Sequence, residues 1–203
     1  MILINHSKNI ILDFDGVLFD SNFIKEEAIR YASDIDLSKE NQKKFLKYFT
    51  SHNGIPRDYK ISKYYPEKKS LILSRYNNKL KSIYKKAKLT IYALKFLKQF
   101  ANQNIFILSG GEMAEINNLL ELNNLSHFFN KIYCSPCSKI EILNQFDPVN
   151  TTFIGDSIVD YKAALHANIF FVLMIGYTQW HDWKNEIDID KVKIISNLGD
   201  LCG

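Results

Sequence analysis

Asn9-Ile10-Ile11-Leu12-Asp13-Phe14-Asp15-Gly16-Val17-Leu18-Phe19-Asp20-Ser21 decides the fold. An apolar run, Ile10 to Leu12, leads directly into two aspartates one residue apart and then a glycine. A short continuous apolar run bounded by turn residues reads as a buried parallel strand. Asp13 and Asp15 then stand at its carboxyl end, and the period-two alternation of a strand predicts that both project to one side. In an open α/β sheet that end is where ligands bind. Two neighbouring buried carboxylates are costly unless a cation or a proton intervenes, so this pair asks for a positive partner.

Three further segments extend the pattern in a fixed order. Asn104-Ile105-Phe106-Ile107-Leu108-Ser109-Gly110-Gly111 is a second apolar strand ending in a hydroxyl and two glycines. Lys131-Ile132-Tyr133-Cys134 is a third, followed by a Ser135-Pro136 turn and then Lys139. Thr151-Thr152-Phe153-Ile154-Gly155-Asp156-Ser157-Ile158-Val159-Asp160 is a fourth, carrying two more aspartates. Over about residues 9–175 the chain resembles the haloacid-dehalogenase-like phosphohydrolase superfamily, all four motifs in order. Within it the likeness is to phosphoglycolate-phosphatase-like members with a C1 cap, the helical insertion placed between the first and second motifs.

The organisation agrees. Residues 22–88 lose strand character and read as helices over 23–32, 39–50 and 66–86, with a Gly- and Pro-broken segment at 51–58. From Thr90 onward helix and strand alternate, which implies a doubly wound parallel sheet. The expectation is an α/β, Rossmann-like core formed by residues 1–21 and 89–203, with a small helical cap over 22–88.

Composition bounds the remainder. A chain of 203 residues suits one core domain with a modest insertion. The net charge of +4 is uneven: residues 22–88 carry +10 and the rest −6. Lysine-rich exposed helices account for most of that excess. Tyrosines interleave with lysines between Tyr59 and Tyr84, but at helical spacing, which predicts packing residues and no nucleic-acid partner. No apolar run has the length of a membrane span, and the N-terminal MILINHSKN is too short and polar for a signal peptide, so the expected location is the cytoplasm, without a membrane partner. Monomer and small homo-oligomer both remain open. Three cysteines make no disulfide framework. Cys134-Ser135-Pro136-Cys137 has C-x-x-C spacing but no second pair to complete a zinc site.

The resemblance implies the chemistry. A carboxylate attacking a dianionic phosphate monoester meets repulsion that a divalent cation removes. Asp13 and Asp156, with the backbone carbonyl of Asp15, would hold Mg²⁺, an ion that prefers oxygen ligands and keeps some of its waters. Asp13 would be the nucleophile, forming an aspartyl-phosphate. Asp15 would protonate the leaving alkoxide and then activate water, with a pKa perturbed by its surroundings. Ser109 and the Gly110 amide would hydrogen-bond the phosphoryl oxygens, and Lys139 would bring a positive charge between nucleophile and phosphate. Asp160 is within reach of a metal-bound water, while Ser157 and Asp20 read as supporting residues. Gly16 would let the chain turn away and leave room for the phosphoryl group. Many superfamily members carry Asn after the second-motif hydroxyl, where this chain has Gly110.

Asp15 argues against a dehalogenase or a phosphonatase, neither of which keeps that acid. The implied activity is a Mg²⁺-dependent phosphomonoesterase acting on a small phosphorylated metabolite: a sugar phosphate, a phosphoglycolate-like ester or a small alcohol phosphate. Its alternatives are a sugar-phosphate mutase of the same superfamily and a non-catalytic partner-binding domain. The segment His52-Asn53-Gly54-Ile55-Pro56-Arg57 resembles the specificity loop of phosphoglycolate-phosphatase-like members, some of them associated with surface-sugar synthesis. It nominates His52, Asn53 and Arg57 as specificity residues.

Overall fold

A computed structural model describes residues 4–35 and 38–203. The first residues of the N-terminal segment read above as no leader lie outside the described residues. Strand β1 (Asn9–Leu12) is the centre of a six-stranded sheet. It leads through a turn into a two-residue strand, β2 (Phe19–Asp20). Four helices follow: α1 (Asn22–Ser33), α2 (Lys39–Ser51), α3 (Arg57–Tyr64) and α4 (Lys69–Ile83). Then come β3 (Lys88–Leu89), α5 (Ala93–Gln99), β4 (Asn104–Leu108), α6 (Met113–Leu122), β5 (Lys131–Tyr133) and α7 (Lys139–Leu143). The chain finishes with β6 (Thr151–Gly155), α8 (Ile158–His166), β7 (Phe170–Met174), α9 (Trp183–Glu186) and β8 (Lys193–Ile195).

The sheet order is β5-β4-β1-β6-β7-β8, every pairing parallel. Alternate residues of the central strands feed two separate apolar clusters. Ile10, Leu12, Ile105 and Ile154 face one, and Ile11, Leu108 and Phe153 the other. A sheet buried on both faces explains why its strands read as continuous apolar runs. This is the doubly wound α/β architecture expected from the sequence. Because β4 and β6 flank β1 on opposite sides, the chain reverses its winding direction there. The crevice at the carboxyl ends of β4, β1 and β6 is where such a sheet takes a ligand.

The helical insertion packs around its own apolar residues, among them Ile29, Phe45, Ile61, Ile72 and Leu80. Aromatic edges tighten it, with Phe45 and Tyr65 at a centroid distance of 4.9 Å. Of the tyrosine-lysine stretch, Tyr76 and Tyr84 are buried packing residues, whereas Tyr59 and Tyr64 are exposed on α3, contrary to that reading. The two crossings between sheet and insertion form a small antiparallel ribbon, Phe19 opposite Leu89 and Asp20 opposite Lys88. Two elements depart from the sequence reading. The end of the 51–58 break belongs to a helix: α3 begins at Arg57, with Pro56 as its N-cap residue. Proline lacks the donor that the start of a helix leaves unused, so it opens α3 where it had signalled a break. The ribbon is too short to show any hydrophobic period. No helix among the described residues is long and apolar enough to cross a membrane.

Candidate active site

The four motifs meet where the sheet topology requires. Asp13 follows β1, Ser109 follows β4, Asp156 follows β6, and Lys139 opens α7 after β5. All four side chains are buried, Asp156 to 1% exposure. Lys139 Nζ sits between two carboxylates, donating to Asp13 Oδ1 at 2.8 Å and to Asp160 Oδ1 at 2.5 Å. Asp160 Oδ2 accepts from Ser157 Oγ at 2.6 Å and from the Ser157 amide at 3.1 Å. Ser157 is the N-cap of α8, so one reciprocal capping box both starts that helix and fixes Asp160. Gly155 leaves room for this: a Cβ there would lie 2.4 Å from that of Asp160.

Asp13, Asp156 and Asp160 each place a carboxylate oxygen within 4.8 Å of the others. Asp156 Oδ2 accepts from Asn22 Nδ2 at 2.7 Å, while Asp156 Oδ1 is buried with no hydrogen-bond partner among the described residues. Burial pushes the Asp13 carboxyl up to about 7, aided by the charges of Asp160 and Asp15 and opposed by Lys139. Burial, then the charges of Asp13 and Asp160, drive Asp156 well above the usual carboxylate range. Burial alone would lower Lys139, but Asp13 and Asp160 outweigh it and hold the amine charged. An orphaned carboxylate oxygen beside two further buried carboxylates fits a hard divalent cation, which would restore the ionised forms of Asp13 and Asp156.

The strand rule does not govern the first-motif pair. β1 ends at Leu12, and the chain turns at once, the amides of Leu18 and Phe19 both donating to Phe14 O. Asp15 is buried and lines the same cavity as Asp13, but its carboxylate is taken up by other groups. Ser21 Oγ and Tyr84 OH donate to Oδ1 at 2.6 and 2.7 Å, and Lys25 forms an ion pair with Oδ2. Against the upward push of burial, Lys25 and these hydrogen bonds hold Asp15 below the ordinary carboxylate range. It is therefore kept in its ionised form. Gly16 has φ +82°, and a Cβ there would meet Asp156 Oδ2 at 2.1 Å and Asn22 Nδ2 at 2.4 Å. The room it leaves is occupied by those two side chains.

Ser109 Oγ accepts from the Gly111 amide at 3.0 Å, which orients its hydroxyl. Gly110 packs directly beneath the insertion: a Cβ on it would lie 2.6 Å from Gly54 O. Gly54 itself has φ +91°, and a Cβ there would reach Val159 at 3.2 Å and Lys139 Nζ at 3.4 Å. The insertion thus closes over the motif residues, leaving a cavity of about 40 Å³. Asp13, Ser109, Asn53, Arg57, Lys25 and Lys60 all contribute to its wall.

The three specificity candidates separate. Asn53 Nδ2 donates to Asn22 Oδ1 at 3.2 Å and to Gln179 Oε1 at 3.3 Å. Arg57 lines the cavity but is already engaged: Nη1 donates to Glu115 at 2.7 Å and to Asn77 at 2.9 Å, and Nη2 pairs with Glu115 as well. His52 points elsewhere, its ring against Tyr48 with centroids 4.4 Å apart, and it lines a different groove with Val159, Lys162 and Trp180. Asp20 lies in the ribbon opposite Lys88.

Sequence reasoning missed Asn22, Lys25 and Tyr84. Asn22 and Lys25 stand three residues apart at the start of α1, directly behind the first motif, so that spacing was a usable signal. Tyr84 lies 69 residues from Asp15 and carries no such signal. Lys60 is buried and pushed down to about 7 by burial and by the charges of Lys25 and Arg57. Its amine donates to Phe49 O at 2.9 Å and His52 O at 3.3 Å, at the end of α2. The C-x-x-C cysteines are both free, Cys134 buried and Cys137 exposed.

Among curated proteins, none matches the chain by sequence. Solved structures share its fold. A haloacid dehalogenase-like hydrolase from Streptococcus pneumoniae superposes with TM-score 0.75 at 17% identity, over 97% of each chain. CbbY from Rhodobacter sphaeroides, in complex with phosphate, gives 0.73 at 14% identity, again over 97% of each. The β-phosphoglucomutase of Clostridium difficile gives 0.71 at 20% identity, over 96% of this chain and 93% of its own. The description "haloacid dehalogenase-like hydrolase" matches residues 10–174, a span that holds all four motifs, and the chain belongs to that family.

Proposed function

We propose that this protein is a Mg²⁺-dependent phosphomonoesterase acting on a small phosphorylated metabolite through an aspartyl-phosphate on Asp13. The observation that carries the reading is the orphaned Asp156 Oδ1 within a buried triad of carboxylates, two of them hydrogen-bonded to a charged lysine. Asp13 and Asp156, with the Asp15 backbone carbonyl, would hold the ion. When bound, it supplies charge neutralisation and alignment for the transferring phosphoryl group.

Lys139 orients Asp13 and offsets charge on the phosphoryl oxygens, and Asp160 holds Lys139 in place. Ser109 and the Gly110 amide donate to the phosphoryl oxygens. Asp13 attacks phosphorus and the ester oxygen departs with a proton from Asp15. Asp15 then takes a proton from the water that attacks the aspartyl-phosphate, releasing phosphate and regenerating Asp13. The ion pair with Lys25 presents Asp15 in its base form, so before the acid step Lys25 withdraws and Asp15 takes up a proton from solvent, which it then passes to the ester oxygen. Residues 22–88 act as the cap, and the substrate is a small phosphate ester, a sugar phosphate, phosphoglycolate-like ester or small alcohol phosphate, bound where the insertion meets the motif residues. Arg57 and Asn53 face that substrate. His52 supports the loop from outside.

A sugar-phosphate mutase is the second reading. The tight seating of Gly54 on Gly110 favours it, because a mutase must hold water off its aspartyl-phosphate. A purely structural domain has no use for so costly a buried cluster. Free cysteines suit a reducing compartment, the cytoplasm. Phosphate release from a panel of phosphate esters, with and without Mg²⁺, tests the reading. Mg²⁺-dependent release from at least one small ester supports it, and no release from any, with no isomerisation, overturns it.

A further inference from the structure

Asn22 occupies the junction between sheet and insertion, the first residue of α1, and it is 2% exposed. Its side chain uses both ends. Nδ2 donates to Asp156 Oδ2 at 2.7 Å and to Tyr177 O at 3.0 Å, and Oδ1 accepts from Asn53 at 3.2 Å. Asn53 also donates to Gln179, whose amide donates to Glu26 at 2.8 Å. A hydrogen-bonded chain therefore runs from a carboxylate of the acidic cluster, through the start of α1, to the turn that seats Gly54 on Gly110.

Only an amide meets these demands, because the site needs two donated hydrogens and one accepted hydrogen on a single short side chain. Occupying Asp156 Oδ2 leaves Oδ1 as the oxygen free for a cation, so the rotation of Asp156 is set by Asn22. Asn22 is held in turn by Asn53, which arrives with the loop. We propose that Asn22 is a positioning residue that couples the cation-binding carboxylate Asp156 to the seating of the loop at residues 52–56, through Asn53. The inference rests on the Mg²⁺ reading above. Coupling of this kind is reciprocal: what the seated loop adds to cation affinity, the bound cation returns to loop seating.

Calorimetric titration of the full chain with MgCl₂, without substrate, tests it. Asn22→Ala should raise the Kd for Mg²⁺ about tenfold, as loss of a group orienting a metal ligand does. Asn53→Ala should raise it about threefold, and the double variant should match Asn22→Ala alone, because the two residues act in series. Mg²⁺ should also slow amide hydrogen exchange across residues 52–55 in the wild type and lose that effect in Asn22→Ala. Folding is checked by circular dichroism. Asn53→Ala lies on a half-exposed turn and decides the matter if Asn22→Ala fails to fold. A folded Asn22→Ala with wild-type affinity, an Asn53→Ala with wild-type affinity, or strictly additive effects would each overturn the coupling. A wild type that does not bind Mg²⁺ fails the functional reading itself, whereas normal wild-type binding with unaffected variants fails only this inference.

Discussion

Gly110→Ala probes the closed cavity most sharply. Gly110 is outside the left-handed region, so alanine suits its backbone, and the only obstacle is what its Cβ meets. That atom would lie 2.6 Å from Gly54 O and 2.9 Å from Gly54 C, both backbone atoms that cannot rotate aside. To regain ordinary contact, the loop at 52–56 must retreat by the better part of an ångström. Overpacking of this kind costs about 1–3 kcal/mol. The cost falls on the closed state, so it translates into a roughly 5- to 150-fold loss of kcat/KM. Gly110→Asn, the residue many superfamily members carry, should lose at least as much. The assay is steady-state hydrolysis of the best small ester at saturating Mg²⁺, with a thermal melt alongside. The melt should stay near wild type, because the contact joins insertion to sheet and fills no core. A Gly110→Ala enzyme with wild-type kcat/KM would refute the claim that catalysis uses this closed arrangement.

Asp15→Asn should slow alkyl phosphates far more than an aryl phosphate in the phosphorylation step, measured by single-turnover kinetics, because only the poor leaving group needs a proton. Arg57→Ala should lower the melting temperature by removing one partner of a half-buried, charge-assisted ion pair, at a cost of about 1.5–3 kcal/mol, and should raise KM for the metabolite more than for p-nitrophenyl phosphate. Equal responses of the two substrates would make Arg57 purely structural. Without Mg²⁺, Asp13 raised to about 7 makes the folded protein bind a proton that the unfolded chain has already lost. Its contribution to stability therefore falls as pH rises from the normal carboxylate range through 7. The rise in melting temperature on adding Mg²⁺ should accordingly be larger at pH 8 than at pH 5, and a shift independent of pH would contradict the raised carboxyl. Phosphorus NMR with a sugar monophosphate should show free phosphate matching substrate loss, and isomer without phosphate would select the mutase reading.

Strands β1, β4 and β6 were legible because each is an apolar run that stops abruptly before a polar residue gathered at the carboxyl edge of the sheet, whereas the short β8 went unread. Asp13, Ser109, Lys139 and Asp156 were read from that punctuation. Asp15 was placed on the wrong basis, since β1 stops at Leu12 and a turn, not strand alternation, aims its carboxylate at Lys25 and Tyr84. Asn22 went unread as a site residue because its partner Asp156 is 134 residues away, and its place just behind the first motif was the one local sign of its role. Arg57 was legible as a residue of interest, but its pairing with Glu115 of α6 depends on how the insertion sits on the sheet, which no local pattern encodes.

Asp13 is proposed to receive the phosphoryl group. Asp15→Asn should stall its hydrolysis, so acid-quenched single turnover of this variant with an aryl phosphate and Mg²⁺, followed by peptide mass spectrometry, tests it directly. The peptide carrying Asp13 should gain the mass of one phosphoryl group, absent when Asp13 is also changed to Asn. Stoichiometric release of the aryl alcohol with no phosphorylated peptide would contradict it.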